Sequence, residues 1–68
     1  MTLSQRIKHL RNQRNINLNE LARRSGIGKA TLSRIESKKT LGTVESLVKI
    51  AKAFQMSVQE FLEGVEFE

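Results

Sequence analysis

Four residues within one short stretch carry side chains suited to contacting the bases of nucleic acid. Lys29 and Arg34 can donate to guanine O6 and N7, and Arg34 can do so with two bonds. Ser33 can donate or accept, and the methyl group of Ala30 can contact thymine. On a helix, positions 29, 30, 33 and 34 share one face, so the four could read base edges together. The alternative for Lys29 and Arg34 is contact with phosphates alone.

The helix that would carry these residues is predicted from the spacing of residues 18–35, which read LNELARRSGIGKATLSRI. A small residue, Ala22, stands where two steeply crossing helices come closest. Gly26 stands in the turn, where glycine adopts a positive φ without a Cβ penalty. The apolar residues predicted to share a core are Leu21, Ile27, Leu32 and Ile35. This spacing indicates a helix-turn-helix, a motif that places its second helix in the major groove of DNA. An ordinary helical hairpin is the alternative.

Helix starts and a basic loop are predicted to bind the DNA backbone. A helix N-terminus presents unpaired N–H groups and the positive end of the helix dipole, both of which suit phosphate. Lys38 and Lys39 add positive charge in the loop after the motif. The predicted phosphate-binding residues are Asn17, Leu18, Asn19, Gly28, Lys38, Lys39 and Thr43. Some of the other arginines could join them or could only face water: Arg6, Arg11, Arg23 and Arg24.

The charge of this 68-residue chain is segregated along its length. The net charge is +5. Residues 1–40 contain ten Lys or Arg and two Glu, a balance of +8, whereas residues 41–68 have a balance of −3. Charges that only keep a small protein dissolved could be spread evenly, so the segregation favours a polyanionic partner.

The composition argues against catalysis and against a bound cofactor. The chain has no Cys, Tyr or Trp, and its one histidine, His9, cannot form a metal site by itself. Gly26 and Gly28 form a GxG with no strand before it, so a dinucleotide site is not expected. No apolar run reaches 18 residues, and the N-terminal MTLSQRIKHL lacks the apolar core of a signal peptide. We therefore expect a cytoplasmic protein that is not an enzyme and has no metal, cofactor or membrane partner.

Four capping patterns and the apolar spacing of the third helix, whose start at Gly28 is weaker, predict five helices and an all-α fold. The predicted helices run from the cap at Thr2 to about Arg14, from the cap at Asn17 to Ser25, from Lys29 to Ser37, from the cap at Thr43 through Phe54, and from the cap at Ser57 to Gly64. The fourth helix is predicted to turn a broad apolar face, beginning at Val44, to the core. The tail Val65–Glu68 alternates apolar and acidic residues and is predicted to be frayed in a monomer, with a short strand as the alternative. The helices fill the chain, so residues 1–68 are predicted to be a single domain.

Three segments of the chain resemble the Cro/CI-type phage-repressor helix-turn-helix family, also called XRE-like. They are RIKHLRNQR, INLNELARRSGIGKATLSRIESKK and TVESLVKIAKAFQMSVQEFL, and the resemblance covers about Leu3 to Gly64. It implies a compact five-helix bundle, a lambda-repressor-like DNA-binding domain with its helix-turn-helix at helices 2 and 3. It also implies operator binding as a homodimer and regulation of transcription.

The resemblance further implies a structural ion pair between Arg11 in helix 1 and Glu36 at the end of helix 3. Two departures from the family pattern matter. The family often carries Gln at the position of Leu18, whose apolar side chain cannot bind phosphate. It also favours Gln or Thr near the start of helix 3, where this chain has Gly28, Lys29 and Ala30. The operator sequence therefore cannot be inferred from relatives.

The leading prediction is a sequence-specific transcriptional regulator, repressor or activator, that binds double-stranded DNA with two-fold symmetry as a homodimer. One alternative is the antitoxin of a toxin–antitoxin pair, which binds a partner protein and regulates its own operon. Another is a protein-interaction module without a DNA role. The predicted dimer interface consists of Val58, Phe61, Leu62, Val65 and Phe67. Core packing is the alternative for at least one of Phe61 and Leu62.

Overall fold

The computed structural model describes residues 1–67 and contains the five helices that the capping patterns predict. Their bounds are α1 Leu3–Gln13, α2 Leu18–Ser25, α3 Lys29–Glu36, α4 Val44–Ala53 and α5 Val58–Leu62. No strand is present in residues 1–67. Helix α3 packs against α1 and α2, whereas α4 packs against α2 and α5. The fold is therefore all-α, with the helix-turn-helix at α2 and α3.

Side-chain caps start four of the helices and account for their positions. The Thr2 hydroxyl accepts the backbone N–H of Gln5, whose side chain accepts the N–H of Thr2 in return. Reciprocal pairs of the same kind start α4 and α5, and the Asn17 side chain accepts one N–H at the start of α2. Only α3 begins without a side-chain cap, because its first flanking residue is Gly28. These contacts satisfy N–H groups that a helix leaves unpaired at its first turn.

The core is a continuous cluster to which every helix contributes. Its buried apolar residues are Leu3, Ile7, Leu10, Ile16, Leu21, Leu32, Ile35, Ile50, Ala51, Phe54 and Phe61. The rings of Phe54 and Phe61 lie 6.2 Å apart between centroids, which joins the end of α4 to α5. Two predictions are wrong here. Val44 is 78% exposed, because the first residue of α4 faces solvent. Phe61 is fully buried, so it belongs to the core and cannot lie on a dimer surface.

The turn between α2 and α3 is built as its spacing predicts. Gly26 has φ +74° and donates its N–H to the carbonyl of Ala22 at 2.9 Å. The next N–H, of Ile27, is accepted by the hydroxyl of Ser25 at 3.2 Å. Ala22 and Ile27 are half-buried and pack against the core. The chain thus reverses from α2 to α3 while the N–H groups of Gly26 and Ile27 remain paired.

The loop between α3 and α4 is held close to α3 by Gly42. This residue has φ +76°, and a Cβ atom added to it would lie 2.6 Å from Ser46 Oγ and 3.1 Å from Ile35 Cδ1. Glycine is therefore required both for the backbone conformation and for the space. The start of α4 is consequently brought beside the middle of α3.

The tail is more ordered than predicted. The N–H of Glu66 donates to the carbonyl of Met1 at 2.8 Å, and the N–H of Val65 donates to the carbonyl of Leu62 at 3.0 Å. Val65 is half-buried against the core. The prediction of a frayed tail is therefore wrong for residues 65 and 66, because the N–H of Glu66 is paired with Met1 and that of Val65 with Leu62. Glu68 lies outside the described residues.

Arg11 and Glu36 form a bidentate ion pair between α1 and the end of α3. Arg11 Nε lies 2.7 Å from Glu36 Oε2, and an Nη atom lies 3.0 Å from Oε1. The side chains are only 18% and 10% exposed. The hydroxyl of Ser4 also donates to the carbonyl of Glu36 at 2.6 Å. The C-terminal end of α3 is thus fixed to α1 through both the side chain and the backbone of one residue.

We expect Glu36→Gln to lower the free energy of unfolding by about 3 kcal/mol, because it leaves the charge of Arg11 largely buried without a partner. The measurement is urea denaturation followed by circular dichroism. Glu45→Gln is the matched control, since Glu45 pairs with Lys49 while 78% exposed, and its loss should cost under about 1 kcal/mol. Equal losses for the two variants would show that the Arg11–Glu36 pair adds little to the fold.

Candidate nucleic-acid interface

The four predicted base-reading residues lie together on the exposed side of α3. Lys29, Ala30, Ser33 and Arg34 are all exposed, whereas Leu32 and Ile35 on the opposite side are buried. Within residues 1–67, the side chains of Lys29 and Arg34 make no ion pair. We call these four residues the reading face. Its two cations are therefore available to an external acceptor.

A cleft of about 250 Å³ beside Arg34 joins the reading face to the start of α4. Its walls are formed by Thr31, Arg34, Thr40, Gly42, Thr43 and Ser46. The hydroxyl groups of Thr31, Thr40 and Ser46 are not among the residues predicted from the sequence. Thr31 could have been found by its spacing, because it stands three residues before Arg34 and so lies beside it on the helix. Thr40 and Ser46 reach the cleft only through the loop conformation that Gly42 allows.

At the start of α4, the backbone N–H of Thr43, a residue predicted to bind phosphate, is already hydrogen-bonded within the helix cap. The N–H of Thr43 donates to Ser46 Oγ at 2.8 Å, and Thr43 Oγ1 accepts the N–H of Ser46 at 3.1 Å. The free donors of this turn are the N–H groups of Val44 and Glu45, which a helix cannot pair internally. Any phosphate contact here would therefore be made by those two backbone groups together with the side chains of the cleft.

The start of α2 forms a second polar cleft, of about 550 Å³. Asn17 Oδ1 is occupied by the N–H of Glu20 at 2.8 Å, so its side chain serves as the helix cap. Leu18 packs its side chain against the core, which leaves only its backbone N–H for a ligand. Asn19 is exposed and lines the cleft. The three predicted residues thus lie together at the start of α2. The groups that remain available to a phosphate are backbone N–H groups and the side chain of Asn19.

The arginines of the chain divide into structural and surface groups. Arg6 donates to the carbonyls of Phe61 and Glu60 at 2.9 and 3.0 Å, so it caps the end of α5. Arg14 lies over the ring of Phe54, 5.5 Å from its centroid. Arg6 and Arg11 are therefore tied within the bundle, whereas Arg14 packs on Phe54 but remains exposed.

Arg23 and Arg24 instead share one carboxylate at the surface of α2. Glu20 accepts hydrogen bonds from both guanidinium groups, and Arg24 Nε lies 2.6 Å from Oε2. The hydrogen bond from Arg23, followed by that from Arg24, holds the pKa of Glu20 below its ordinary value, and the same carboxylate raises the pKa of Arg23. Glu20 is therefore charged at neutral pH.

The two loop lysines lie away from the Arg34 cleft. Lys38 has φ +66° and lines a groove of about 240 Å³ with Leu3, Ile35, Leu41 and Glu66. Lys39 is exposed, and its N–H donates to the carbonyl of Arg34 at 2.9 Å, which extends the end of α3 by one further bond. Gly28 is exposed at the start of α3, next to the reading face.

The residues that the structure describes contain neither a candidate metal site nor a candidate membrane span. Residues 1–67 contain no group of three or more His, Asp or Glu side chains that could hold a metal ion. No helix among them combines the length and the apolar character needed to cross a membrane.

Comparison with known proteins agrees with this geometry. The family model described as Helix-turn-helix matches residues 7–61. An HTH-type transcriptional regulator of Deinococcus deserti, DdrOP3, is 34% identical over 67 residues, which cover 98% of this chain and 52% of that protein. This chain therefore spans about half the length of that relative. With the motif at α2 and α3 and the match across most of the helices, the chain belongs to the Cro/CI-type (XRE-like) helix-turn-helix family of DNA-binding transcriptional regulators.

Proposed function

We propose that this protein regulates transcription by sequence-specific binding to double-stranded DNA, with α3 in the major groove. The observation that carries the proposal is the reading face, whose two cations are exposed and unpaired within residues 1–67 while the other side of α3 is buried. Arg34 donates two bonds to one guanine, Lys29 donates to a base acceptor, Ser33 donates or accepts, and Ala30 contacts a thymine methyl. Whether the outcome is repression or activation depends on where the operator lies relative to a promoter.

Contacts to the DNA backbone orient α3 in this proposal. The first-turn N–H groups of α2 and α4 are unpaired within their helices, and each start can donate to one phosphate. Gly28, at the start of α3, allows close approach of the backbone to the duplex. Lys39 contributes charge from the loop after α3, whereas Lys38 lines a separate groove with Glu66. The DNA partner implies that the protein acts in the cytoplasm.

We infer that the protein binds as a homodimer through the groove beside Lys38. The exposed apolar residues Met1, Leu41 and Phe67, each about half exposed, lie on or next to the segments that form this groove. Leu3 and Ile35 line it together with the cation Lys38 and the carboxylate Glu66, which also pairs with the N-terminal ammonium of Met1 at 3.1 Å. A two-fold interface must be self-complementary, and here Lys38 of one copy can face Glu66 of the other.

This groove includes the surroundings of only some of the residues that the sequence predicts for the dimer interface. Val65 and Phe67 remain candidates because they adjoin Glu66, whereas Val58 and Leu62 pack partly against the core. The groove lies at the C-terminal end of α3 and includes none of the reading-face residues, so a two-fold contact there leaves both reading faces free for DNA. This arrangement favours two half-sites about 34 Å apart. The antitoxin alternative has less support, since Glu66 of the tail pairs with Met1 and Val65 pairs with Leu62, rather than the tail extending as a free partner-binding segment.

Selection of bound duplexes from a random pool tests the proposed function. We expect an enriched motif with two-fold symmetry and half-sites about one helical turn apart, because a dimer presents two copies of α3. The control is a protein in which Lys29, Ser33 and Arg34 are all replaced by Ala, which should fold and lose the enrichment. A selected pool without any motif would overturn sequence-specific regulation.

Arg34→Ala should weaken binding to the selected duplex by about 1–3 kcal/mol and relax the preference at one base position. The loss follows from removing a bidentate contact to guanine. Fluorescence anisotropy with the selected duplex and its single-base variants measures both effects. Lys52→Ala removes an exposed cation from α4 and serves as the control. An equal loss on every sequence would instead assign Arg34 to a phosphate.

The dimer is tested by analytical ultracentrifugation at tens of micromolar without DNA. We expect the native chain to sediment as a dimer and Leu41→Glu to sediment as a monomer, because a buried carboxylate would face its own copy across the axis. Val44→Glu is the control, since Val44 is exposed and does not line the groove. A native chain that is monomeric at these concentrations would exclude this interface in the absence of DNA.

A further inference from the structure

We propose that Glu20 weakens sequence-independent binding to DNA by holding Arg23 and Arg24 in an internal ion-pair cluster beside the start of α2. The inference rests on the proposed DNA binding and adds to it a residue that sets how strongly any duplex is held. The three residues lie outside the reading face, and the base-reading contacts do not require them.

The geometry of the cluster supports this role. One oxygen of Glu20 accepts the Arg24 Nε–H at 2.6 Å, and the Arg23 guanidinium contacts both carboxylate oxygens. Side chains on an α-helix lean toward its N-terminus. The two guanidinium groups are therefore drawn from the second and last turn of α2 back toward its first turn, where the N–H groups of Leu18 and Asn19 are unpaired.

A phosphate that approached these N–H groups would enter the same cleft. The cleft is lined by Asn15, Ile16, Asn17, Asn19, Glu20, Arg23 and Arg24, so Glu20 is the one acid among its walls. The Glu20 side chain is 29% exposed, whereas Arg23 and Arg24 are 73% and 45% exposed. The carboxylate thus lies beneath two guanidinium groups whose outer sides remain accessible. It already occupies the place that a phosphate oxygen would take between them.

The consequence for DNA is electrostatic. Sequence-independent affinity comes from cations that replace the counterions of the duplex, and each phosphate neutralised steepens the dependence on salt. With Glu20 present, the two arginines add a net charge of only +1 to this part of the surface. When a guanidinium leaves Glu20 to bind a phosphate, one ion pair replaces another, so the gain in binding free energy is small. Without the carboxylate, both arginines would be free to neutralise phosphates.

The test compares Glu20→Gln with Glu63→Gln on a 20-base-pair duplex of arbitrary sequence between 50 and 300 mM salt. Each variant removes one negative charge, but Glu63 lies at the end of α5 and makes no ion pair within residues 1–67. We expect Glu20→Gln to bind about 3- to 10-fold more tightly than the native chain at 100 mM salt. Its plot of log K against log salt should be steeper by about one to two phosphates. Glu63→Gln should change affinity by less than about twofold.

Arginine variants show whether the tighter DNA binding of Glu20→Gln depends on Arg23 and Arg24. Arg23→Ala with Arg24→Ala should abolish the gain of Glu20→Gln, yet weaken the native chain much less. Lys49→Ala with Lys52→Ala removes two cations from α4, and in the Glu20→Gln chain it should leave most of the gain. Circular dichroism checks that each variant keeps its helices.

Equal binding by the Glu20→Gln and Glu63→Gln variants would overturn the proposal, as would a gain that survives loss of both arginines. A duplex of arbitrary sequence contains no operator, so this result is independent of whether the random-pool selection yields a motif. The absence of any binding to duplex DNA at 50 mM salt would overturn both the role of Glu20 and the proposed function.

Discussion

The bidentate contact between Arg11 and Glu36 is the interaction on which the position of α3 depends. It joins the first helix to the last residue of the third, in a setting where both charges are nearly buried. The Ser4 hydroxyl adds a second bond to the same residue through its carbonyl. With its C-terminal end fixed in this way and with Leu32 and Ile35 in the core, α3 has one orientation, and its remaining side faces solvent. The reading face follows from that orientation.

The basic residues of the first forty positions have two different roles, which the net charge does not distinguish. Some of the basic residues of the first forty positions hold the bundle together: Arg6, Arg11 and Arg14 bind carbonyls, a buried carboxylate or an aromatic ring. Others, such as Lys29 and Arg34, have no internal ion-pair partner in residues 1–67. A count of cations therefore overstates the charge available to DNA. The contact pattern separates the cations that serve the fold from those that can serve a ligand.

Local signals in the sequence were sufficient for most of the fold. The caps of α1, α2, α4 and α5 depend on residues three positions apart, so they can be predicted without knowledge of the tertiary structure. The predictions that are wrong concern residues whose burial or order depends on tertiary contacts. Val44 is apolar but lies at a helix start that faces solvent, and Phe61 lies on the inner side of a helix too short to show its periodicity. The tail is ordered by a bond to Met1, a partner more than sixty residues away in sequence.

The candidate site divides in the same way. The positions of the reading face could be predicted, because helical spacing alone brings positions 29, 30, 33 and 34 together. The hydroxyl groups of Thr40 and Ser46 could not, because a loop conformation that depends on Gly42 brings them to the cleft. Likewise, the sequence contains Glu20, Arg23 and Arg24 at helical spacing, but only the structure places all three in the cleft at the start of α2.

The absence of internal ion pairs on the reading face, within residues 1–67, also bears on how such a protein can diverge. Exposed positions that support no other part of the structure tolerate substitution with changes in stability of about 0.5 kcal/mol or less. Lys29, Ala30, Ser33 and Arg34 are positions of this kind, whereas Arg11, Glu36 and Gly42 are not. Mutation can therefore explore new base preferences on α3 while the scaffold is inherited unchanged. Paralogues with different operators could arise from one gene through substitutions at these four positions.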